Sequence, residues 1–408
     1  MGYDYPMASA DDLRDLDLED SPFSDFLGFE LLLEPEDRDL LSRVRAFMTR
    51  EVEPVINDYW TRAEFPHELV PGIADLGIAG LAYDGPGCPD RGALVNGMVA
   101  MELGRVDPSI GTFMGVHGGL AMGSIHLCGS DEQRERWLPA MARMELIGAF
   151  GLTEPDVGSA ISQGLATSAR RDGDEWVLNG AKKWIGNATF ADLVVIWARD
   201  EDDGQVKGFV VEKGTDGIEF TKQEDKIALR VVQNAEIALT DCRVPEANRL
   251  QRAESFHDTS NVLRVTRMDV AWQAAGCARG AFEHALRYTK AREQFGRSIA
   301  GFQLVQDLLV KMLSNVTAST AMNARASQLQ DAGLLKDEHA SLCKMHSTVR
   351  MRETVGWARE VLGGNGILLE HHVGRFVADA EAIYSYEGTR EINTMIVGRA
   401  ITGESAFV

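Results

Sequence analysis

The chain has 408 residues, 45% hydrophobic and 25% charged, with a formal charge of −21. That balance is ordinary for a globular protein with room for two or three structural units. So acidic a chain has no general affinity for nucleic acid or anionic membrane, which reward clustered Lys and Arg, and it has no apolar run long enough to cross a bilayer. A few placed arginines can still hold an anion locally.

Residues 1–34 form an acidic arm without periodicity, neither secretory signal nor Arg-rich transit peptide, and are expected to be mostly disordered or loosely packed. A cytoplasmic location follows by default. Residues 35–148 carry helical spacing: Leu40, Leu41, Val44, Phe47 and Met48 recur at steps of three and four. Ser130-Asp131-Glu132-Gln133 predicts a capping box ahead of the helix bearing Trp137. Residues 149–255 change period. Ala166–Ala169, Arg170-Arg171-Asp172-Gly173 and Trp176–Gly180 predict a hairpin, and Leu193–Trp197, Phe209–Val211 and Ile237–Leu239 read as strands.

Over 256–408 the helical period returns, broken at Gly296, Ala332-Gly333 and Gly363-Gly364. Its apolar faces exceed what one layer buries, which predicts a bundle with oligomer contacts. The order is helices, a central β-domain, then helices, an α+β fold. The five cysteines (Cys88, Cys128, Cys242, Cys277, Cys343) lie far apart without a CxxC pair, so neither a disulfide framework nor a zinc site is expected. Adjacent His371 and His372 point apart on a helix, and no metal is expected there.

Four segments carry chemistry. Phe150–Ser159 is a Gly- and Pro-shaped loop offering hydroxyls and free amides to a polar heterocycle or phosphate. Alone, it is equally an ordinary helix-to-strand turn. Trp184-Ile185-Gly186-Asn187 places an indole beside a tight turn, more often a core anchor than a ligand contact. Arg292-Glu293-Gln294-Phe295-Gly296, with Phe302-Gln303, is a helix end with a planar donor fork, and Leu362-Gly363-Gly364-Asn365-Gly366 reads as a helix C-cap. In Tyr384–Asn393, Glu387 stands just before a helix start near Thr389, where an acid is usually a dipole partner.

Together these segments resemble the acyl-CoA dehydrogenase family over residues 35–406, nearest in appearance to glutaryl-CoA dehydrogenases and plant short-chain acyl-CoA oxidases. No dinucleotide or phosphate-loop motif competes. The resemblance implies an N-terminal helical domain, a central β-domain and a C-terminal four-helix bundle, with FAD as cofactor. It implies flavin contacts from Phe150, Leu152, Thr153, Ser159, Trp184, Ile185, Gly186 and Thr389. Arg292, Phe295, Gln303, Leu362, Gly363, Gly364, Asn365 and Gly366 would meet the FAD of a neighbouring subunit, which implies a homotetramer built as a dimer of dimers. Ala160 stands where the family has Asp, so hydrogen bonding there differs.

The resemblance makes Glu387 the catalytic base, with its own amide and a flavin hydroxyl holding the thioester oxygen. Flavin N5 accepts the β-hydrogen as hydride, giving a trans-2-enoyl-CoA. Members with the base elsewhere carry Glu at the position of Thr266, which here cannot serve. Ser159, Arg267, Gly388 and Thr112 are matched to the acyl-CoA site. Gly111 stands where glutaryl-CoA dehydrogenases grip a distal carboxylate with Arg; without that Arg, burying the carboxylate is costly, so a short neutral acyl chain is expected.

The expected electron acceptor is an electron-transfer flavoprotein. The alternatives are an oxidase using oxygen, disfavoured by the absence of an SKL-like tail, and a glutaryl-CoA dehydrogenase. A flavin monooxygenase on this fold would lack the base, and a non-catalytic CoA-binding protein would take up no FAD.

Overall fold

The computed structural model describes residues 25–406. Of the acidic arm, 1–24 lie outside the described residues. The remainder is packed: Asp25 accepts the amides of Phe29 and Glu30, and Leu33 is buried. Four longer helices and three short ones follow: α1 Pro35–Phe47, α2 Glu53–Arg62, α3 Val70–Asp75, α4 Gly92–Val106, α5 Pro108–Met114, α6 Met122–Cys128 and α7 Asp131–Ala142, with π turns at Met48–Val52 and Gly115–Ala121. Start signals are local. Proline presets the backbone angle at the first turns of α1 and α5, and the Asp107 side chain accepts the Ile110 amide. Ser130 and Gln133 form the expected capping box.

The central layer comprises β1 Gly148–Gly151, a single helical turn α8 Ile161–Gly164, then β2 Ser168–Asp172, β3 Glu175–Ile185, β4 Leu193–Asp200, β5 Val206–Glu212, β6 Ile218–Lys222 and β7 Ala235–Pro245. The strand order is β1-β4-β2-β3-β7-β6, with β5 on β4. The hairpin expected around Gly173 is β2–β3, in register Ser168 to Asn179. The expected strands are β4, β5 and β7. The sequence reading missed β6, whose Glu219, Phe220 and Thr221 are all exposed, so it has no alternation to read.

The C-terminal part holds α9 Phe256–Ala291, a small β8–β9 hairpin (Glu293–Gln294 and Arg297–Ser298), α10 Gln303–Asp331, α11 Asp337–Val361, α12 Val373–Ser385 and α13 Arg390–Thr402. The three expected breaks fall after α9, α10 and α11. Helix α9 is central and packs on α4, α10, α11 and α12. Its approach to α4 is close: a Cβ at Gly280 would lie 1.9 Å from the Arg105 carbonyl oxygen. Buried Asp379 locks the layers, accepting Trp60 Nε1 at 3.0 Å from α2 and the Leu229 amide at 2.7 Å from the loop before β7. Among the described residues, no helix is long and apolar enough to cross a membrane.

Candidate active site

A cavity of about 1370 Å³ lies between the sheet and the two helical layers. One wall comes from the end of β1, the loop after it and the end of β3: Phe150, Leu152, Thr153, Ser159, Trp184, Ile185 and Gly186 all line it. The loop is pinned from beneath. Buried Lys182 donates to the Leu152 carbonyl (3.1 Å) and to Glu154 (2.9 Å), and Glu154 accepts the amides of Ala166 and Thr167. The positive charge of Lys182 helps hold Glu154 below the usual carboxylate range, while burial pulls Lys182 down to about 8. Trp184 has φ 66° and its indole is 57% exposed. A large flat ring left open on a cavity wall is unusual for a core anchor and suits stacking against a planar ligand.

The opposite wall comes from α4, α5, the second π turn, α9 and the turn between α12 and α13. That turn presents Glu387 with φ 54°, followed by Gly388 with φ 84°. A left-handed glutamate is strained by roughly 1–2 kcal/mol, so the surroundings must hold it. Lys344 on α11 donates to the carbonyls of Tyr384 and Gly388, both at 2.8 Å, and Asn393 Nδ2 donates to Gly388 O at 2.8 Å. Thr389 caps α13, accepting the Ile392 amide.

Burial pushes the Glu387 carboxyl up to about 7; the nearby charges of Arg267 and Lys344 and the Thr266 hydroxyl pull the other way. Its Oε2 is buried without a hydrogen-bond partner among the described residues. An unsatisfied carboxyl oxygen in a large cavity is a costly arrangement unless something else occupies the site. Arg267 lines the same cavity, buried rather than at the surface, with Nε also unpartnered among the described residues. Burial of its own lowers the Arg267 pKa, against the pull of Glu387.

Tyr386 donates to Gln273 Oε1 at 2.6 Å and lies 3.2 Å from the Thr112 hydroxyl; Gln273 Nε2 donates to Thr112 (2.8 Å) and to the Pro108 carbonyl (2.6 Å). A Cβ at Gly111 would lie 2.9 Å from Gln273 Nε2, so a glutamine amide occupies the space that a side chain at 111 would take.

The cavity therefore gathers Glu387, Phe150, Leu152, Thr153, Ser159, Trp184, Ile185, Gly186, Thr389, Arg267, Gly388 and Thr112. The other expected cofactor residues lie elsewhere. Arg292, Leu362, Gly363, Gly364 and Asn365 line a separate depression of about 340 Å³. Phe295 stands 94% exposed beside it in sequence, and Gln303 opens α10 on the surface. Gly366 has a packing role, since a Cβ there would lie 2.4 Å from the Arg359 carbonyl oxygen. Sequence reasoning passed over Lys344, Gln273 and Asp269. For the last two a signal existed: Thr266, Asp269 and Gln273 are spaced three and four apart, one face of a helix. Among the described residues, no cluster of His, Cys, Asp and Glu could hold a metal ion.

Family models for the N-terminal, middle and C-terminal domains of acyl-CoA dehydrogenases match residues 34–145, 149–242 and 256–402. The chain is 32% identical to a 3-(aryl)acrylate reductase of Clostridium sporogenes, covering 89% of this chain and 97% of that protein. It is 31% identical to a short-chain specific acyl-CoA dehydrogenase of Clostridium acetobutylicum, covering 88% and 96%. Among solved structures, a glutaryl-CoA dehydrogenase of Mycobacterium smegmatis in complex with FADH2 superposes with a TM-score of 0.91 at 33% identity, covering 95% of this chain and all of that one.

Proposed function

The chain belongs to the acyl-CoA dehydrogenase family, oxidoreductases acting on CH–CH bonds with FAD, and from that premise we propose that it removes the α-proton and β-hydrogen of a short-chain acyl-CoA, with Glu387 as base. The cavity residues fit the cofactor: the pinned loop after β1, the open indole of Trp184 and the buried Gly186 form a wall for a planar heterocycle, and Glu387 faces the same cavity. FAD, when bound, supplies the acceptor for the β-hydrogen.

The observation that carries the reading is Glu387 itself. A carboxyl whose pKa is pushed to about 7 is a far better proton acceptor than one at 4.5, yet is substantially ionised near neutrality. The turn that fixes it leaves one oxygen unpartnered, free to take the proton from the α-carbon. We assign the Glu387 amide to the thioester oxygen, where it would stabilise the developing enolate. Arg267, buried beside the base, holds the anionic side of that charge distribution. Tyr386, fixed through Gln273 and Thr112, walls the acyl end.

Gly111 and Gln273 support a chain without a distal carboxylate, since an uncharged amide fills the space that a side chain at 111 would take. An electron-transfer flavoprotein is the acceptor we favour, and a dimer of dimers the assembly. Purified protein mixed anaerobically with butyryl-CoA should lose its flavin absorption, and a Glu387→Gln variant should bind the thioester without that loss. Full bleaching in the variant would sink the assignment of the base. Rapid peroxide formation in air without an acceptor protein would make the enzyme an oxidase.

A further inference from the structure

Among the polar residues that α9 sets on the cavity wall, Thr266, Asp269 and Gln273 follow one another at spacings of three and four. Thr266 lies beside Glu387, its hydroxyl donating to the Val262 carbonyl of its own helix, and Gln273 accepts from Tyr386. Asp269, between them, serves neither. Its Oδ1 accepts Asn96 Nδ2 from α4 at 2.7 Å, and Asn96 also lines the cavity. Among the described residues Oδ2 has no hydrogen bond and no cation pairs with the carboxyl. The residue facing it is Gly119 in the second π turn, and a Cβ there would lie 2.9 Å from Oδ2. A carboxyl therefore fills space left by a missing side chain, at the cavity wall, half satisfied.

We propose that Asp269 and Asn96 form a specificity site for an acyl chain carrying a hydroxyl on its γ- or δ-carbon, with the hydroxyl donating to Asp269 Oδ2. The inference rests on the acyl-CoA reading above. Asp269 follows Thr266 by three residues, about 4.5 Å along the helix axis, so a chain with its α-carbon at Glu387 reaches it with a few more carbons. Electrostatics agree: burial first, then the Glu387 charge, push the Asp269 carboxyl to about 7, with only Asn96 opposing. An added donor relieves that cost. An added carboxylate raises it, so the site that welcomes a hydroxyl rejects a dicarboxylic chain. A pocket built to bond a substrate hydroxyl also discriminates against the analogue lacking it, because its own polar group is then left bare.

The test uses FAD-loaded Glu387→Gln protein, which binds without turnover, and titrates 4-hydroxybutyryl-CoA, butyryl-CoA, 5-hydroxyvaleryl-CoA, valeryl-CoA and glutaryl-CoA by calorimetry. At least one hydroxylated thioester should bind about tenfold tighter than its unsubstituted partner, with glutaryl-CoA weakest. Adding Asp269→Leu should erase the hydroxyl preference, and Asp269→Asn should lift the glutaryl penalty. Equal or reversed preference, or preferences that neither substitution changes, overturns the proposal. Should the leucine variant not fold, an undiminished glutaryl penalty in the asparagine variant does so. Bleaching of the unsubstituted enzyme, run alongside, separates the two readings. Bleaching with flat binding ratios removes the pocket assignment alone; hydroxyl preference without bleaching removes the reaction and keeps the pocket; no thioester binding removes both.

Discussion

The ammonium of Lys344 is hydrogen-bonded to the carbonyl of Gly388, the residue directly after the proposed base, at 2.8 Å. The same nitrogen holds Tyr384 O, so one buried cation spans both sides of Glu387 while also lowering its pKa. Replacing Lys344 with Met removes both functions. Two buried carbonyls lose a partner, which should cost about 2 kcal/mol of unfolding free energy in a denaturant titration. Removing a nearby positive charge also raises the Glu387 pKa, so the acidic limb of the kcat/KM profile should move to higher pH. A limb that stays in place would show the lysine to be structural only.

Glu387→Gln should lower kcat by about 10²–10⁴-fold, the range for losing a positioned base. In the unsubstituted enzyme kcat/KM should rise with pH through about 7 and then level, because only the carboxylate accepts the proton.

The same carboxyl makes an opposite prediction for stability. Its folded pKa is about 7 against an ordinary value of 4.5, so the folded chain holds the proton more tightly than the unfolded chain. Stability is greatest below the unfolded value and is lost as pH rises through the folded one. The difference amounts to about 3 kcal/mol. Glu387→Gln should therefore be more stable than the parent at pH 8, with the gap closing towards pH 5, in paired thermal melts.

Lys182 is buried against Glu154 beneath the loop that carries Leu152 and Thr153. Lys182→Met leaves a buried carboxylate without its cation and should cost about 3–5 kcal/mol. Flavin should also dissociate more readily, measured by ultrafiltration of the yellow colour. Unaltered retention would separate the pair from the cofactor wall.

Gly366→Ala would place a methyl 2.4 Å from the Arg359 carbonyl, forcing the turn that bears Leu362–Asn365 to shift. The expected result is weaker FAD retention together with a smaller assembly in size-exclusion chromatography, while the sheet remains folded.

Much of this was legible in the chain. Helix periodicity marked α1, the capping box marked α7, and β-branched runs marked β4 and β5, because each depends on neighbours in sequence. Glu387 was legible only through its whole segment, since a glutamate before a helix start looks like a dipole partner. What escaped depends on distance. Lys344 reads as an ordinary polar residue of α11, and only packing brings its ammonium to Gly388, 44 positions away. Asp269 shares a helix face with Thr266 and Gln273, but the space its carboxyl fills exists only because Gly119, on another helical segment, makes room. Gly111 drew attention from the sequence, but Gln273, whose amide fills the space beside it, did not.

Asn187, next to the cavity-lining Ile185 and Gly186, bonds with its side-chain amide to Phe113 O on α5 (3.1 Å) and to Gly148 O on β1 (3.4 Å). One buried amide thus rivets the sheet wall to the helical wall at the cavity's inner edge. Those two bonds hold the walls together at that point. Parting the two layers at this point would leave a buried amide without its partners.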